Sequence, residues 1–416
     1  MLATLKNAFK VEEIRGKIFF TLFMFLIFRI GAHIPAPGVN PDVVAELLSQ
    51  NIFGFIDVLS GGAFKNISIF AMGIMPYINA SIIMNLLTIV VPYFERLAKE
   101  GPEGKRKMAQ ITRYGCIILG FVQALLMSFY LRNAMYDFNF FSVMIVTISL
   151  TAGTAILMWM GEMITEKGIG NGISLIIFAG IVSRIPSGIT YIVNSLRSGE
   201  VNFFAVLLFL VIALVIIIGI IYINEGQRRI PVQYAKRVVG RKVYGGQSTN
   251  IPMKVNQAGV IPIIFAMSIL MLPGLIASFF DGAVANAIAR WFSTSHPVYM
   301  VVDTLLIIFF AYFYTAVTFS PVDVADNMKK NGGFIPGIRP GRPTAEYLDR
   351  ILTRLTLAGA IFLAFIALLP NLMTAITGVN VSFGGTSLLI AVGVALDTMK
   401  QLESQLLMRN YQGFMK

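Results

Sequence analysis

The sequence predicts an all-α polytopic membrane protein with ten transmembrane helices in two inverted five-helix halves. Three observations carry that expectation. The 416 residues are 56% hydrophobic and only 13% charged, whereas soluble chains are about a quarter charged. Ten separate apolar stretches approach the roughly 20 residues that a helix needs to cross about 30 Å of hydrocarbon. The segments between them alternate between basic and nearly uncharged.

The stretches lie near residues 17–34, 73–91, 113–132, 141–161, 172–193, 202–223, 258–280, 299–319, 355–374 and 385–400. The fifth is interrupted by Arg184 and Pro186, and the tenth is short. The first runs on to Gly31, His33, Pro35 and Pro37 without a small-residue cleavage pattern, so no cleavable leader is expected. Cys116 is the single cysteine, which excludes an intrachain disulfide. His33 and His296 lie too far apart for a metal motif, and no metal or cofactor is expected.

An even number of spans puts both termini on one side. With the N-terminus cytoplasmic, most of the 33 basic residues fall in inner segments. The exceptions are Lys65, Arg132, Arg184, Arg197 and Arg290 outside, and Arg29 within the first stretch. This is the positive-inside pattern, and it places both termini in the cytoplasm. Arg29, near the outer end of its span, is expected to snorkel and anchor. The outer turn NSLRSGEV (194–201) divides the chain into halves 1–193 and 202–416. Five spans per half give the halves opposite orientation, although no sequence echo links them.

Residues 51–92 stand apart. Phe53, Phe55, Ile56, Val58 and Leu59 open an apolar run that Gly61 and Gly62 break, and Asp57 and Lys65 charge it. The run is too short and polar to span, yet it leads directly into a full span. Broken backbone at membrane depth must sit against protein or water. Two readings stay open: a segment folded into the outer mouth of a path, or a re-entrant loop that only packs. Within the following span, Ile74, Ile78 and Ile82 share one face, and Asn79, Ser81 and Asn85 make a polar stripe. That stripe fits a helix that can part from its neighbour. It fits a fixed interhelical contact equally well.

Two cytoplasmic loops are too long for orientation alone. Residues 224–257 carry Arg228, Arg229, Lys236, Arg237, Arg241, Lys242 and Lys254 against the lone acid Glu225, with apolar runs that suggest a β-hairpin. Residues 320–354 carry a stiff basic tip, Arg339-Pro340-Gly341-Arg342-Pro343. Both look like docking sites for a cytoplasmic partner. RNA phosphate, an acidic protein and anionic phospholipids all suit this chemistry.

No enzyme is expected: HExxH, GxSxG and GxxxxGK[ST] are all missing. Glu162 and Glu166 sit at the inner end of the fourth span, a routine place for acids. Asp303 is expected at the outer interface and Asp397 near the inner end of the tenth span. The scarcity of mid-membrane ionisable groups argues against an ion-coupled secondary transporter. That transporter, and a membrane scaffold that recruits ribosomes without opening a pore, are the rival readings.

Long stretches then carry a family likeness: FRIGAHIPAPG (28–38), SGGAFKNISIFAMGIMPYINASII (60–83), EGPEGKRKMAQITRYG (100–115), GEMITEKGIGNGISLIIFAGIV (161–182), EGQRRIPVQYAKR (225–237), KVNQAGVIPIIFA (254–266), ADNMKKNGGFIPGIRPG (325–341) and FGGTSLLIAVGVALD (383–397). Together they resemble the SecY family, the central subunits of the bacterial protein-conducting channel, over essentially the whole chain. The compact outer loops and the lack of an N-terminal extension look Gram-positive.

The resemblance implies a clamshell around an hourglass pore in the bacterial plasma membrane, hinged near 194–201. Unfolded secretory polypeptides would pass through it, and hydrophobic helices would leave sideways into lipid. The pore ring would be Ile74, Ile78, Ile173, Ile177, Ile264 and Ile390. The plug would include Phe53, Phe55, Asp57, Gly61, Gly62 and Phe64. Spans two and seven would part as a lateral gate, with Asn79, Ile82, Asn85 and Asn256 near its seam. Arg228, Arg229, Lys236, Arg237, Arg339 and Arg342 would meet the SecA motor or the ribosome. The resemblance also implies SecE and SecG as fellow subunits, a YidC-type insertase and SecDF as associates, and no cofactor.

Overall fold

The computed structural model describes the chain except for residues 1–8, 41–42, 45–56, 58–59, 200, 235–236, 240–241, 245–247, 278–281, 294–295, 378–384 and 415–416. The plug residues Phe53 and Phe55 and the loop residue Lys236 therefore lie outside the described residues.

Helices occupy all ten expected stretches. In chain order they are α1 (Glu12–Gly31), α2 (Met75–Val90), α3 (Pro92–Lys99), α4 (Pro102–Tyr130), α5 (Phe140–Lys167), α6 (Gly172–Ser183), α7 (Ile185–Arg197), α8 (Phe203–Glu225), α9 (Ile261–Ala277), α10 (Ala283–Trp291), α11 (Pro297–Thr318), α12 (Pro321–Lys330), α13 (Arg342–Thr377) and α14 (Gly385–Phe414). Among the described residues, six helical stretches are by themselves long and apolar enough to cross a membrane, or seven if the bent pair α2–α3 is one span. The remaining three fall short for identifiable reasons. Arg15, Lys17 and Arg29 interrupt α1, α9 has 17 residues, and α14 soon meets Asp397 and Lys400. The chain is an all-α polytopic membrane protein in its spanning part.

Proline sets several helix boundaries. It occupies the first turn of α2, α3, α4, α7, α11 and α12, where its missing N–H costs nothing. Val91, held extended (φ −108°, ψ 114°) before Pro92, bends α2 from α3 by 100°. The interruption expected at Arg184 and Pro186 is the junction of α6 and α7, but α7 runs to Arg197, beyond the expected end at 193. The tenth helix likewise extends past 400, to Phe414. Its polar continuation leaves the hydrocarbon, so hydropathy alone could not mark its end.

Among the described residues, five strands form two small sheets in the loops 224–257 and 320–354: β1 (Gln227–Tyr234), β2 (Arg237–Val239), β3 (Lys242–Tyr244), β4 (Ser248–Lys254) and β5 (Gly333–Phe334). β1 pairs antiparallel with β4, matching the expected hairpin, and β2 pairs with β3. β5, from the second loop, adds to the other edge of β1 through Gln233↔Phe334 and Tyr234↔Gly333. The two loops are thus one module. Its core joins Ile230, Val232 and Met253 to Met328, Ile335, Leu348 and Leu352.

The largest apolar cluster joins α1, α2, α5, α6, α8, α9, α11, α13 and α14. A second cluster holds the ends of α4 and α5 against residues 36–71. Close backbone approach matters here. A Cβ on Gly153 of α5 would overlap the Ile69 carbonyl oxygen, and one on Gly172 would overlap the Gly161 carbonyl. Gly153→Ala is therefore expected to destabilise the protein by about 1–3 kcal/mol, the usual cost of overpacking. Thermal unfolding of the solubilised protein measures this. Gly16→Ala, where nothing lies within 4 Å, is the matched control and should not lower the midpoint.

Candidate functional site

A cavity of about 510 Å³ opens where the end of α8 meets the start of α6, beside Lys254 of β4. Asn171, which caps α6, Ser174 within it, Asn224 and Glu225 of α8, Asn256, Tyr314, and Asp397 and Lys400 of α14 are among its lining residues. Its charges are tied locally, with Lys400 Nζ 2.7 Å from Glu225 Oε1. Asn256 Nδ2 donates to Asn224 Oδ1 at 3.0 Å. The wall mixes polar side chains with apolar ones such as Val260, Ile261, Val394 and Leu396, and no single sign of charge dominates it.

About one helical turn deeper Ser174 gives way to Ile177 on α6, while α9 and α14 are aliphatic at both levels, Ile261 and Ile264 on the one and Val394 and Ile390 on the other. Three to four residues correspond to about 5 Å of helix. Ile74, Ile78, Ile177, Ile264 and Ile390 are between 2% and 9% exposed, and all belong to the main apolar cluster. Ile173 packs against the same cluster but is half-buried. A Cβ built on Gly161 would lie 2.5 Å from Ile173 Cδ1, so this side chain is turned toward α5. Branched aliphatic side chains filling a constriction exclude water and offer a passing chain no hydrogen bonds to stick to. Beyond them Ser60, Gly73, Ile74, Ile78 and Ile177 border a cavity of about 10 Å³. That is barely the space of one water.

Ser60 belongs to the broken stretch, which borders this small cavity. Asp57 closes this loop on itself. Its carbonyl accepts from Gly62 N at 2.9 Å and from Ser60 Oγ at 3.2 Å, and its Oδ1 accepts from Lys65 N at 2.9 Å. Gly61 (φ +66°) and Gly62 (φ +90°) occupy left-handed backbone, which explains the glycine pair. Phe64 is buried with Ala36, Val39 and Leu131 in the second cluster, away from the isoleucines.

Two expectations need correction. Arg29 does not snorkel: its Nη1 donates to the Gly61 carbonyl at 3.0 Å, so it is turned into the protein. A bare backbone oxygen inside the molecule is a better partner than distant head groups. Asp303, expected at the interface, is buried at 3% exposure, with Oδ1 unpartnered among the described residues.

α2 and α9 touch, and Ile82 is buried between apolar neighbours. Asn79 and Asn85 are half-buried on α2, while the Asn256 amide is engaged by Asn224 of α8. Arg228 and Arg229 are exposed at the start of β1, and Arg339 and Arg342 are exposed beside α13, where Arg342 pairs with Glu346 at 3.1 Å. Arg237 lies in β2.

Sequence reasoning missed two pairs. Arg184 forms an ion pair with Asp57, and Arg113 Nε meets Glu162 Oε1 at 2.6 Å. Lone charges in otherwise apolar runs were the available signal in each case.

The geometry has independent counterparts. The SecY family model matches residues 68–399. The protein translocase subunit SecY of Halalkalibacterium halodurans is 50% identical over 436 residues, covering 100% of both chains. A solved SecY structure, described for a plug domain that stabilises the closed state of the translocation channel and maintains a membrane seal, superposes with a TM-score of 0.67. It is 21% identical, over 94% of this chain and 92% of that one. Sec61 in the canine ribosome–channel complex from the endoplasmic reticulum gives a TM-score of 0.64 at 20% identity, again over 94% and 92%.

The funnel and the constriction differ in water access, and thiol chemistry reads the difference. Ser174→Cys should react with a membrane-impermeant maleimide from the cytoplasmic side on the order of tenfold faster than Ile78→Cys in the idle protein. Cys116, at 0% exposure, is the silent internal control. Equal rates would show that the constriction is wet.

Proposed function

The chain belongs to the SecY family, and as a protein-conducting channel subunit, not an enzyme, it moves polypeptides across a membrane; we propose that it does so along the path from the 510 Å³ cytoplasmic cavity through the isoleucine constriction to the loop at Ser60. The observation that carries this path is the step along α6 from Ser174, in the wall of the cavity, to Ile177, one of five buried isoleucines that residues 74–78, α6, α9 and α14 bring into one cluster. A hydrated funnel admits an unfolded chain, and a dry ring seals around it.

In this proposal ten helices span the membrane as two inverted halves, 1–193 and 202–416, hinged at 194–201 into a clamshell. Both termini are cytoplasmic, and the membrane is the bacterial plasma membrane. The ring is Ile74, Ile78, Ile177, Ile264 and Ile390, with Ile173 at its edge. The stretch near 53–70 acts as the plug, in keeping with the sealing role described for the plug of the solved SecY. α2 and α9 part as the lateral gate, which releases hydrophobic helices to lipid, and Ile82, Asn79, Asn85 and Asn256 lie near the seam.

SecY-type proteins work with SecE, SecG, SecA and ribosomes. Here the cytoplasmic module β4–β1–β5 offers Arg228, Arg229, Arg339 and Arg342 to the SecA motor or the ribosome. The Sec61 relative in a ribosome–channel complex supports the second partner. The conduit supplies no free energy of its own; movement is driven by those partners.

Crosslinking tests the path. An arrested secretory polypeptide should crosslink to Ile78→Cys and Ile264→Cys in vesicles containing the partner subunits, only with motor and ATP present. Silence at both sites while the polypeptide still crosses would move the path elsewhere. Arg339→Glu should reduce motor-driven export about tenfold or more, the scale of losing a charge-assisted contact, without altering the thermal midpoint. Normal export and normal stimulation of the motor's ATPase would remove Arg339 from the docking surface.

A further inference from the structure

We infer that Arg184 and Arg29 are positioning residues that clamp the plug loop in its seated position, Arg184 through the Asp57 carboxylate and Arg29 through the Gly61 carbonyl. The inference rests on the reading of this loop as the plug.

The Asp57 carboxylate is divided between two tasks. Oδ1 accepts from Lys65 N and holds the loop together, while Oδ2 pairs with Arg184 Nη2 and ties the loop to the helix pair α6–α7. The two side chains are only 11% and 24% exposed, so water screens the pair little. Arg29 reaches the same loop from α1, and Ser183 Oγ approaches the same Gly61 oxygen at 3.4 Å. Backbone packing completes the seat. A Cβ on Gly61 would lie 2.8 Å from Ser183 Oγ and 3.0 Å from Gly180 Cα, so any side chain there would lift the loop off α6.

Position gives the pair a mechanical meaning. Arg184 stands between α6, which carries Ile177 of the ring, and α7. The loop it holds contains Ser60, which borders the same small cavity as Ile177. One residue therefore couples the plug to a ring helix. Arg184 pairs with the Asp57 carboxylate, while Arg29 holds a backbone oxygen of the same loop, so loss of the Asp57 charge leaves Arg184 without its counter-charge. A plug that must leave for each client needs a tie of this kind, strong when seated and exchangeable for water when displaced.

Amide variants separate the two tasks. Asp57→Asn keeps an acceptor for Lys65 N and removes the charge; Arg184→Gln removes the other partner. In planar bilayers containing the protein with its partner subunits, without motor or client, each variant should raise the open fraction about tenfold or more. The double variant should leak no more than the leakier single one, because each change removes the same tie. Arg184→Lys should leak less than Arg184→Gln. The thermal midpoint, measured alongside, separates unseating from general loss of folding. Resting conductance that stays low in Asp57→Asn and Arg184→Gln, while deletion of residues 57–66 opens the channel, would overturn the clamp and keep the plug. Low conductance after the deletion would overturn the plug reading itself. Leaks that multiply in the double variant would show that the two residues act separately.

Discussion

Irregular backbone inside a membrane protein must find its hydrogen-bond partners in protein or in a water-filled cavity, never in lipid, and the connection between α1 and α2 is built around that constraint. Pro35 bridges Ser68, Ile69 N donates to Ile34 O at 3.0 Å, and Ala36 N donates to Ile67 O at 2.7 Å. Arg29 and Ser183 serve the Gly61 carbonyl. Gly153 thins α5 so that the strand-like end at Ile69 can lie against it. The start of α2, and with it Ile74 and Ile78, is set by where this loop comes to rest. Ser60, Ile74 and the start of α2 are therefore positioned by one set of backbone contacts.

The constriction shows the opposite economy. Its isoleucines hold nothing by hydrogen bonds, and their contribution is exclusion of water over a short distance. Aliphatic side chains repack around changing shapes at little cost, whereas a polar ring would bind one segment of a client and leave another unpaired. The neighbouring 510 Å³ cavity instead mixes polar and apolar side chains and balances Glu225 and Asp397 against Lys254 and Lys400.

Much of this was legible in the chain. Ten apolar stretches became helices at the expected places, and Arg184 and Pro186 marked a real break. The four-residue recurrence of Ile74, Ile78 and Ile82 marked a real face, since all three are buried. Helix ends were less legible: α13 has 36 residues because it continues into the cytoplasm, where hydropathy no longer reports on helix. The pairing of β5 with β1 was beyond sequence reasoning, because two separate loops contribute and neither pattern names its partner. Arg29 misled for a related reason. A cation near a span end snorkels by default, and only the folded loop reveals a carbonyl within reach. Asp57 and Arg184 are far apart in sequence, and nothing local announces that they meet.

The shared module has a further consequence. A helix of 36 residues with a rise of 1.5 Å is a shaft of about 54 Å. α13 starts at Arg342, next to the exposed tip, and runs to Thr377, with Leu348 and Leu352 bolted into the cytoplasmic core and Leu363 and Leu369 in the main cluster. A load applied at the tip is borne by a stiff rod, not absorbed by a tether. The helix contains one weak joint, Pro370, near its far end. Leverage from the cytosol is thus carried almost the full length of the rod before it can bend.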